Sequence, residues 1–512
     1  MNATDDNEDS STSPAEFDRP GVVVLPVDNR GLADLPCNDV GNAKRLVARF
    51  GLKLRHSTET GWHVFDGRRW QRSLGQRNGP GAEVMKAAQA TADAIALEAD
   101  SIADEVASGD STDKSARNAI ADRIRRHRAF GIRSGNHGRL LAMLAQAEPF
   151  LKVSMDAFDT DPMLLNVTNG TIDLSADEIT VRNFDRSDML TKMSPVTFDA
   201  NADAPVWQRF LKRVLPDVEV RTFLQRWLGY CLSGSTAEQR LLIAYGTGAN
   251  GKSVLFRAVE QVLGDYALTV AIQTFLQDSR RGGGDATPDL ARLAGPRLVL
   301  AAEPEVGARL NESLIKVATG GDRMVARHLF GDTFEFTPRF KLVLLANVRP
   351  SVRGQDRGIW RRILLVPFDV TIDEEERDPT LLQRLVTNEA AAILNWLIDG
   401  WRQYREVGLA VPQVVLNATA AYRSDSDSAY EFMNSCVIVA EGERVRAGKL
   451  YEAYRQWCLA GTSEPVTLKR FGSRLNELGY AKLRIGGAVQ YLDIVIVEGS
   501  IPDASDQDGK QP

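Results

Sequence analysis

The sequence predicts an α/β layered core, with a largely helical region before it and a small helix–helix–hairpin unit after it. Three observations carry this prediction. Strand and helix signals alternate from residue 241 to about residue 372, as a layered α/β core requires. Within that span a glycine-rich turn, "GTGANGKS" (246–253), separates an apolar strand from an apolar-faced helix. Near the C-terminus two helical periods are followed by two alternating stretches joined at Gly486 and Gly487.

Residues 1–20 are acidic, polar and poor in large apolar side chains, so they cannot offset the entropy of ordering and are expected to be disordered. An N-terminal α+β domain is expected over 21–204. In it "GWHVFDGRRW" (61–70) alternates about an Asp-Gly turn and predicts a hairpin. Residues 82–106, 115–128 and 138–151 have helical spacing, and "LLNVTNGTIDL" with "EITVRNF" returns to strand alternation. The core is expected over 205–375, led by two helices: Trp207, Phe210, Leu211 and Val214 share one face, and Phe223, Leu224, Trp227, Leu228 and Cys231 another. A helical segment (376–429) follows, with its clearest signal over 381–407. The last unit (430–500) reads as helices over 447–458 and 467–478 and a strand pair, a winged-helix-like pattern in which one helix can enter a major groove. Residues 501–512 are expected to be a second disordered tail.

Composition bounds the function. With 512 residues, several domains of about 100 to 200 residues each are expected. No stretch approaches the roughly 18 uninterrupted apolar residues of a membrane span, and the acidic N-terminus does not look like a secretory signal, so a cytoplasmic location is expected. Cys37, Cys231, Cys436 and Cys458 lie far apart and read as free thiols. No paired-histidine spacing supports metal hydrolysis, so any metal is expected to arrive with a nucleotide. The net charge of −6 hides a segregation: from Lys316 to Arg362 ten basic residues face four acids, a stripe that can bind phosphate locally.

The glycine-rich turn fits G-x-x-x-x-G-K-S in the strand-to-helix context the motif needs. Gly246, Thr247, Gly248, Ala249, Asn250 and Gly251 would turn backbone N–H groups toward phosphates, Lys252 would sit between the β- and γ-phosphates, and the Ser253 hydroxyl would ligate Mg²⁺. ATP and Mg²⁺ are the expected cofactors. The apolar run "RLVLAA" ends in Glu303 and Glu305, acids at the strand edge where α/β sheets bind ligands, able to hold the metal through water and orient an attacking water. "FKLVLLAN" ends in Asn347, a polar group able to sense the γ-phosphate or the nucleophile. Arg361 and Arg362 then precede another apolar strand, and one of them is expected to serve as an arginine finger.

The order of "GTGANGKS", "LAAEPE", "TGGDRMVARHLFGDTFEF", "LLANVRP" and "DRGIWRRILLVPF" resembles the superfamily 3 helicases, specifically the motor of phage and plasmid primases and poxvirus-type primase-helicases. "LLNVTNGTIDL" through "FLQRWLGYCLSG" is similar to the domain that precedes the motor in that family. The resemblance implies an AAA+ P-loop ring, a hexamer, that translocates on single-stranded DNA and hydrolyses ATP between subunits during phage, plasmid or other mobile-element replication. It also implies that Arg327, His328 and Phe330, in the segment between acid and sensor, contact DNA with a phosphate charge and a ring able to stack on a base. Forked or duplex DNA, and a separate primase or polymerase, are the further partners implied. The paired-acid motif of a primase is not found before residue 40, so helicase activity without priming is expected of this chain. The competing reading is a ring ATPase that acts as replication initiator or loader, with origin binding by the winged unit.

Overall fold

The computed structural model describes residues 28–75, 79–108, 114–277, 287–302, 304, 308–327, 333–352, 357–460 and 465–497. The chain divides into two compact units, residues 1–160 with 184–191, and residues 161–183 with 192–512.

The first unit is mostly helical. It contains α1 (Asn29–Ala33), α2 (Asp39–Phe50), an antiparallel sheet of β1 (Leu54–Ser57), β2 (Gly61–Phe65) and β3 (Trp70–Arg72), then α3 (Ala82–Ser108), α4 (Lys114–Ser134) and α5 (His137–Leu151). The hairpin expected at 61–70 is present as β2 and β3. Asp66 Oδ1 accepts from the amides of Arg68 and Arg69, each at 2.8 Å, and fixes the turn between the strands. Leu46, Val84, Ala88, Leu140 and Met143 make the core that helical spacing predicts. Inside it lies a charge network: the buried Glu98 carboxylate accepts from Arg45 Nε at 2.7 Å, Arg49 Nη2 at 3.1 Å and His127 Nε2 at 3.0 Å. A buried carboxylate is tolerated because each of its oxygens has a donor.

The second unit opens with an antiparallel sheet of β4 (Leu164–Val167), β5 (Gly170–Asp173) and β6 (Val181–Arg182), and with α6 (Pro205–Val214) and α7 (Val218–Tyr230). Then come β7 (Leu241–Tyr245), α8 (Lys252–Leu263), β8 (Ala267–Ala271), α9 (Pro288–Ala291), β9 (Leu298–Ala302) and α10 (Glu312–Gly320). The hairpin β10 (Met324–Arg327) and β11 (Thr333–Phe336) follows, then β12 (Lys341–Ala346), α11 (Arg357–Trp360) and β13 (Ile363–Pro367). Five of these strands form one parallel sheet in the order β13-β7-β12-β9-β8.

Both faces of that sheet are covered. Leu242, Ala244, Val343 and Leu364 point into a core shared with α6, α7, α8 and two later helices, α12 (Leu381–Asn388) and α13 (Ala390–Val407). The alternate residues Leu241, Ile243, Leu342, Leu344 and Leu365 face a second core that includes Ile315 and Ala318 of α10 and Tyr422 of α14 (Gln413–Asp425). Burial on both sides is why these strands read as unbroken apolar runs in the sequence.

One helix start is set by a distant residue. Ala204, at the N-cap of α6, has no side-chain acceptor, and the Glu389 carboxylate supplies it instead, accepting from Val206 N at 2.9 Å and Trp207 N at 2.8 Å.

The chain ends in α15 (Ser428–Cys436), β14 (Val437–Arg446), α16 (Ala447–Ala460), α17 (Leu468–Glu477), β15 (Lys482–Ile485) and β16 (Ala488–Ile496), with a sheet ordered β14-β16-β15. Phe432, Tyr454 and Phe471 centre its core, the last two stacked at 4.5 Å. The two helices and the strand pair expected here are present, and α14 lies within the helical segment expected over 376–429, whereas β14 and α15 carry no signal in that reading. The ladder between β14 and β16 shifts register between Val439 and Arg444, which breaks the period-two pattern by which β14 would be read. Among the described residues no helix is long and apolar enough to cross a membrane.

Candidate active site

The glycine-rich turn leaves the C-terminal end of β7 and enters α8. Two neighbouring strands end beside it, since Tyr245 is in register with Ala346 of β12 and with Pro367 of β13. Connections leave this point in opposite directions: β7 leads to the far edge strand β8, while β12 leads past β7 to β13. Ligands of open α/β sheets sit at such a switch point, outside the carboxyl ends of the strands.

The turn is held from several sides. Gly248, Ala249 and Gly251 have positive φ values of 106°, 47° and 79°. A Cβ on Gly251 would lie 2.5 Å from Val214 Cγ1 of α6, and one on Gly246 would lie 2.3 Å from the carbonyl oxygen of Phe368. Asn250 is buried and donates from Nδ2 to that Phe368 oxygen at 3.2 Å, while the Ile372 amide donates to Ala249 O at 2.7 Å. Glycine at these two positions is a packing requirement.

Lys252 and Asn347, 95 residues apart in sequence, are brought together. The Lys252 ammonium, 4% exposed, donates to Gly246 O at 2.7 Å and to Asn347 Oδ1 at 3.2 Å. Ser253 opens onto solvent in the first turn of α8. Thr247 lies within the turn itself. The arrangement places one cation, one amide, one hydroxyl and a glycine-lined backbone around the N-terminus of a 12-residue helix. Groups of this kind, so arranged, are able to receive a polyphosphate. Ser253 has the chemistry to hold a divalent cation bound to such a ligand. Glu303 and Glu305 lie outside the described residues, as do His328 and Phe330. Ala302, immediately before Glu303, is in register with Leu345, two residues before Asn347.

The two arginines are placed differently from one another. Both precede β13, at the N-terminal edge of the sheet, where Leu241, the first residue of β7, donates to Arg362 O at 2.7 Å. Along β7 that is about 16 Å from the turn, at roughly 3.3 Å per residue. Neither can serve the turn of its own chain. Arg362 is buried and donates to Thr319 Oγ1 at 3.0 Å and Gly358 O at 2.6 Å. Arg361 is exposed and donates to Gln239 Oε1 at 2.8 Å. Arg327 is exposed at the end of β10, and its amide donates to Thr287 Oγ1 at 2.9 Å.

The basic stripe read from the sequence does not form one open surface. Lys341 and Arg362 are buried, and Arg323 and Arg349 are engaged by Glu335 at 3.3 Å and Asp425 at 2.8 Å. Local charge count overstates the field because parallel strands and their edges consume basic residues as carbonyl caps and ion pairs.

In the sequence Arg349 counts only as one charge of the basic stripe. It lies two residues beyond Asn347, with its guanidinium 5.4 Å from the Tyr245 ring and 5.7 Å from the Tyr422 ring. Only its proximity to Asn347 could have singled it out.

A family model described as D5 N terminal like matches residues 43–216, and one described as Poxvirus D5 protein-like matches residues 424–484. The chain carries both D5 regions. They flank the sheet that bears the glycine-rich turn, and the resemblance to the helicase part of the poxvirus-type primase-helicases, first read from the motor residues, extends to both sides of it. "Putative helicase L207/L206" of Acanthamoeba polyphaga mimivirus is 30% identical over 266 residues, 48% of this chain and 28% of that protein. "Putative helicase 022R" of Frog virus 3 is 29% identical over 270 residues, 49% of this chain and 28% of that protein. The chain thus matches well under half the length of these relatives. The C-terminal region of NrS-1 aligns with a TM-score of 0.37 at 10% identity, over 66% of this chain and 84% of that one, a level of agreement that bears on neither fold nor function.

Proposed function

We propose that this chain is the motor of an ATP-driven DNA helicase of superfamily 3, an AAA+ P-loop ATPase acting as a ring during replication of a virus, phage, plasmid or related element. The observation that carries the reading is the meeting of Lys252 and Asn347 at the carboxyl edge of the parallel sheet, beside the glycine-rich turn. The relatives named as helicases support the same reading.

In this mechanism Lys252 leaves Gly246 O and Asn347 for the β- and γ-phosphates of ATP. Asn347, released, orients the water that attacks the γ-phosphate; Glu303 or Glu305 takes the water's proton, and the bond to the β–γ bridging oxygen breaks with its electron pair leaving on ADP. Ser253 and Glu303 would hold Mg²⁺, which supplies charge neutralisation on the transferring phosphoryl group. Arg361, the exposed member of its pair, stabilises the transition state at a neighbouring protomer's turn. It is the better placed of the two because its bond to Gln239 lies at the exposed surface, whereas Arg362 is buried with its donors on Thr319 and Gly358. The β10–β11 hairpin, with Arg327 at its end and His328 and Phe330 beyond, contacts single-stranded DNA. The last unit acts as a winged helix on forked or duplex DNA.

Lys252→Ala is expected to abolish ATP hydrolysis and strand displacement on a tailed duplex, and hydrolysis by the unsubstituted chain is expected to rise with single-stranded DNA. A DNA-stimulated ATPase that displaces no strand would instead assign the chain to loading or initiation. Primer synthesis from nucleoside triphosphates would overturn the reading of a helicase without priming.

A further inference from the structure

The segment after β13 is tied down in a way the proposed chemistry does not explain. From Phe368 to Glu376 the chain passes over the glycine-rich turn as a strap. It touches the turn twice through its backbone: Phe368 O accepts from Asn250 Nδ2 at 3.2 Å, and Ile372 N donates to Ala249 O at 2.7 Å. Ala249 is a non-glycine residue at φ 47°, a conformation that needs support from outside the turn.

The far part of the strap is fastened by one side chain. Arg213 of α6 donates from Nη2 to Thr371 O at 3.1 Å and grips the Glu376 carboxylate with two bonds, Nε to Oε1 at 2.8 Å and Nη2 to Oε2 at 2.6 Å. Its neighbour in α6, Val214, is the side chain that would collide with a Cβ on Gly251. One helix therefore packs against the turn with Val214 and, through Arg213, holds the strap that lies across it.

We infer that Arg213 is a positioning residue for the nucleotide site: by clasping Thr371 and Glu376 it keeps the strap on the turn and so pre-sets the backbone N–H groups that would receive the phosphates. This rests on the reading of the turn as an ATP site. Arg213 itself touches neither the turn nor any reacting atom. Its effect is on binding, because a turn that must be ordered by the ligand binds that ligand more weakly.

The pair is half-exposed, Arg213 at 40% and Glu376 at 47%, so substituting it leaves the cores intact. The bond from Arg213 holds the Glu376 carboxyl below its ordinary range. A bidentate grip is not reproduced by lysine.

The test uses the full chain in four forms: unsubstituted, Arg213→Ala, Glu376→Gln, and the exchange Arg213→Glu with Glu376→Arg. Each is titrated with a fluorescent ATP analogue, assayed for ATP hydrolysis, and followed by hydrogen exchange of the amides of residues 247–251 without nucleotide. Arg213→Ala is expected to weaken analogue binding and raise KM about fivefold while kcat stays within about twofold, because only ground-state order is lost. Glu376→Gln should fall between, the exchange should recover part of the loss, and the turn amides should exchange faster in Arg213→Ala. A kcat that falls at constant KM, or unchanged binding with unchanged amide exchange, would overturn the inference. If the unsubstituted chain binds no analogue, the ATP reading fails, and the amide exchange still decides whether Arg213 orders the turn.

Discussion

At Lys341 the ammonium is fully buried at the start of β12, donating to the carbonyls of Ser233, Ser235 and Arg339 and lying 4.7 Å over the Tyr230 ring. Ser233 and Ser235 follow the end of α7, where helix carbonyls are left without partners. Burial lowers the lysine pKa from its ordinary value to about 7, since no carboxylate offsets the lost hydration. The folded pKa thus lies below the unfolded one, and above pH 7 the unfolded chain holds the extra proton. Stability is therefore expected to rise between pH 7 and about 8.5, by on the order of 1 kcal/mol per pH unit. Above that window the nearby Cys231 thiol, pushed to about 12 by burial, acts in the opposite direction. Urea unfolding of the second unit at pH 7 and pH 8.5 measures the slope, and Lys341→Met should remove it whatever it does to the midpoint. The same residue explains one misreading: a lysine within the basic stripe counts toward phosphate binding in the sequence, but its side chain is spent on carbonyls.

Among elements, the turn and α6 are the pair most tightly constrained by each other. Gly251 has φ 79° and ψ −3°, and an added Cβ would meet Val214 at 2.5 Å and Phe210 at 3.2 Å. Gly251→Ala is expected to cost about 2–4 kcal/mol, the left-handed conformation and the overpacking together. Gly479→Ala is a control with φ 87° and nothing within 4 Å of the added atom, and should cost about 1 kcal/mol. Equal losses in urea unfolding would show that the contact with α6 is not felt. Elements were legible where period and burial agree. The strands of the parallel sheet are covered on both faces and read as apolar runs, and α6 and α7 show their buried stripes. The strand β14 was not legible because its register shift splits the pattern, and α6 gave no capping signal because its acceptor, Glu389, comes from far along the chain.

For the whole molecule, the roughly 16 Å between the Arg361 edge and the glycine-rich turn, at about 3.3 Å per strand residue, is why the proposed role of Arg361 is assigned to a neighbouring protomer's turn. Mixing Arg361→Ala protein with Lys252→Ala protein is expected to restore ATP hydrolysis, since some interfaces then join an intact turn to an intact arginine. Hydrolysis that stays at the level of either variant alone, in particles of unchanged size by sedimentation, would count against catalysis between protomers. Arg362→Ala should instead lower stability, because it leaves Thr319 and Gly358 without their donor in the buried edge.

The apolar strands, the glycine-rich turn with Lys252 and the resemblance to the helicase part of the poxvirus-type primase-helicases were legible without the fold, because each depends on local spacing. Long-range packing was needed to show that Lys252 donates to Asn347 Oδ1, that Arg361 is exposed while Arg362 is buried, and that Phe368 and Ile372 reach the turn while Arg213 holds the strap they belong to. Those facts depend on strand order and on which residue's partner lies far away in the chain, and neither leaves a periodic mark in the sequence.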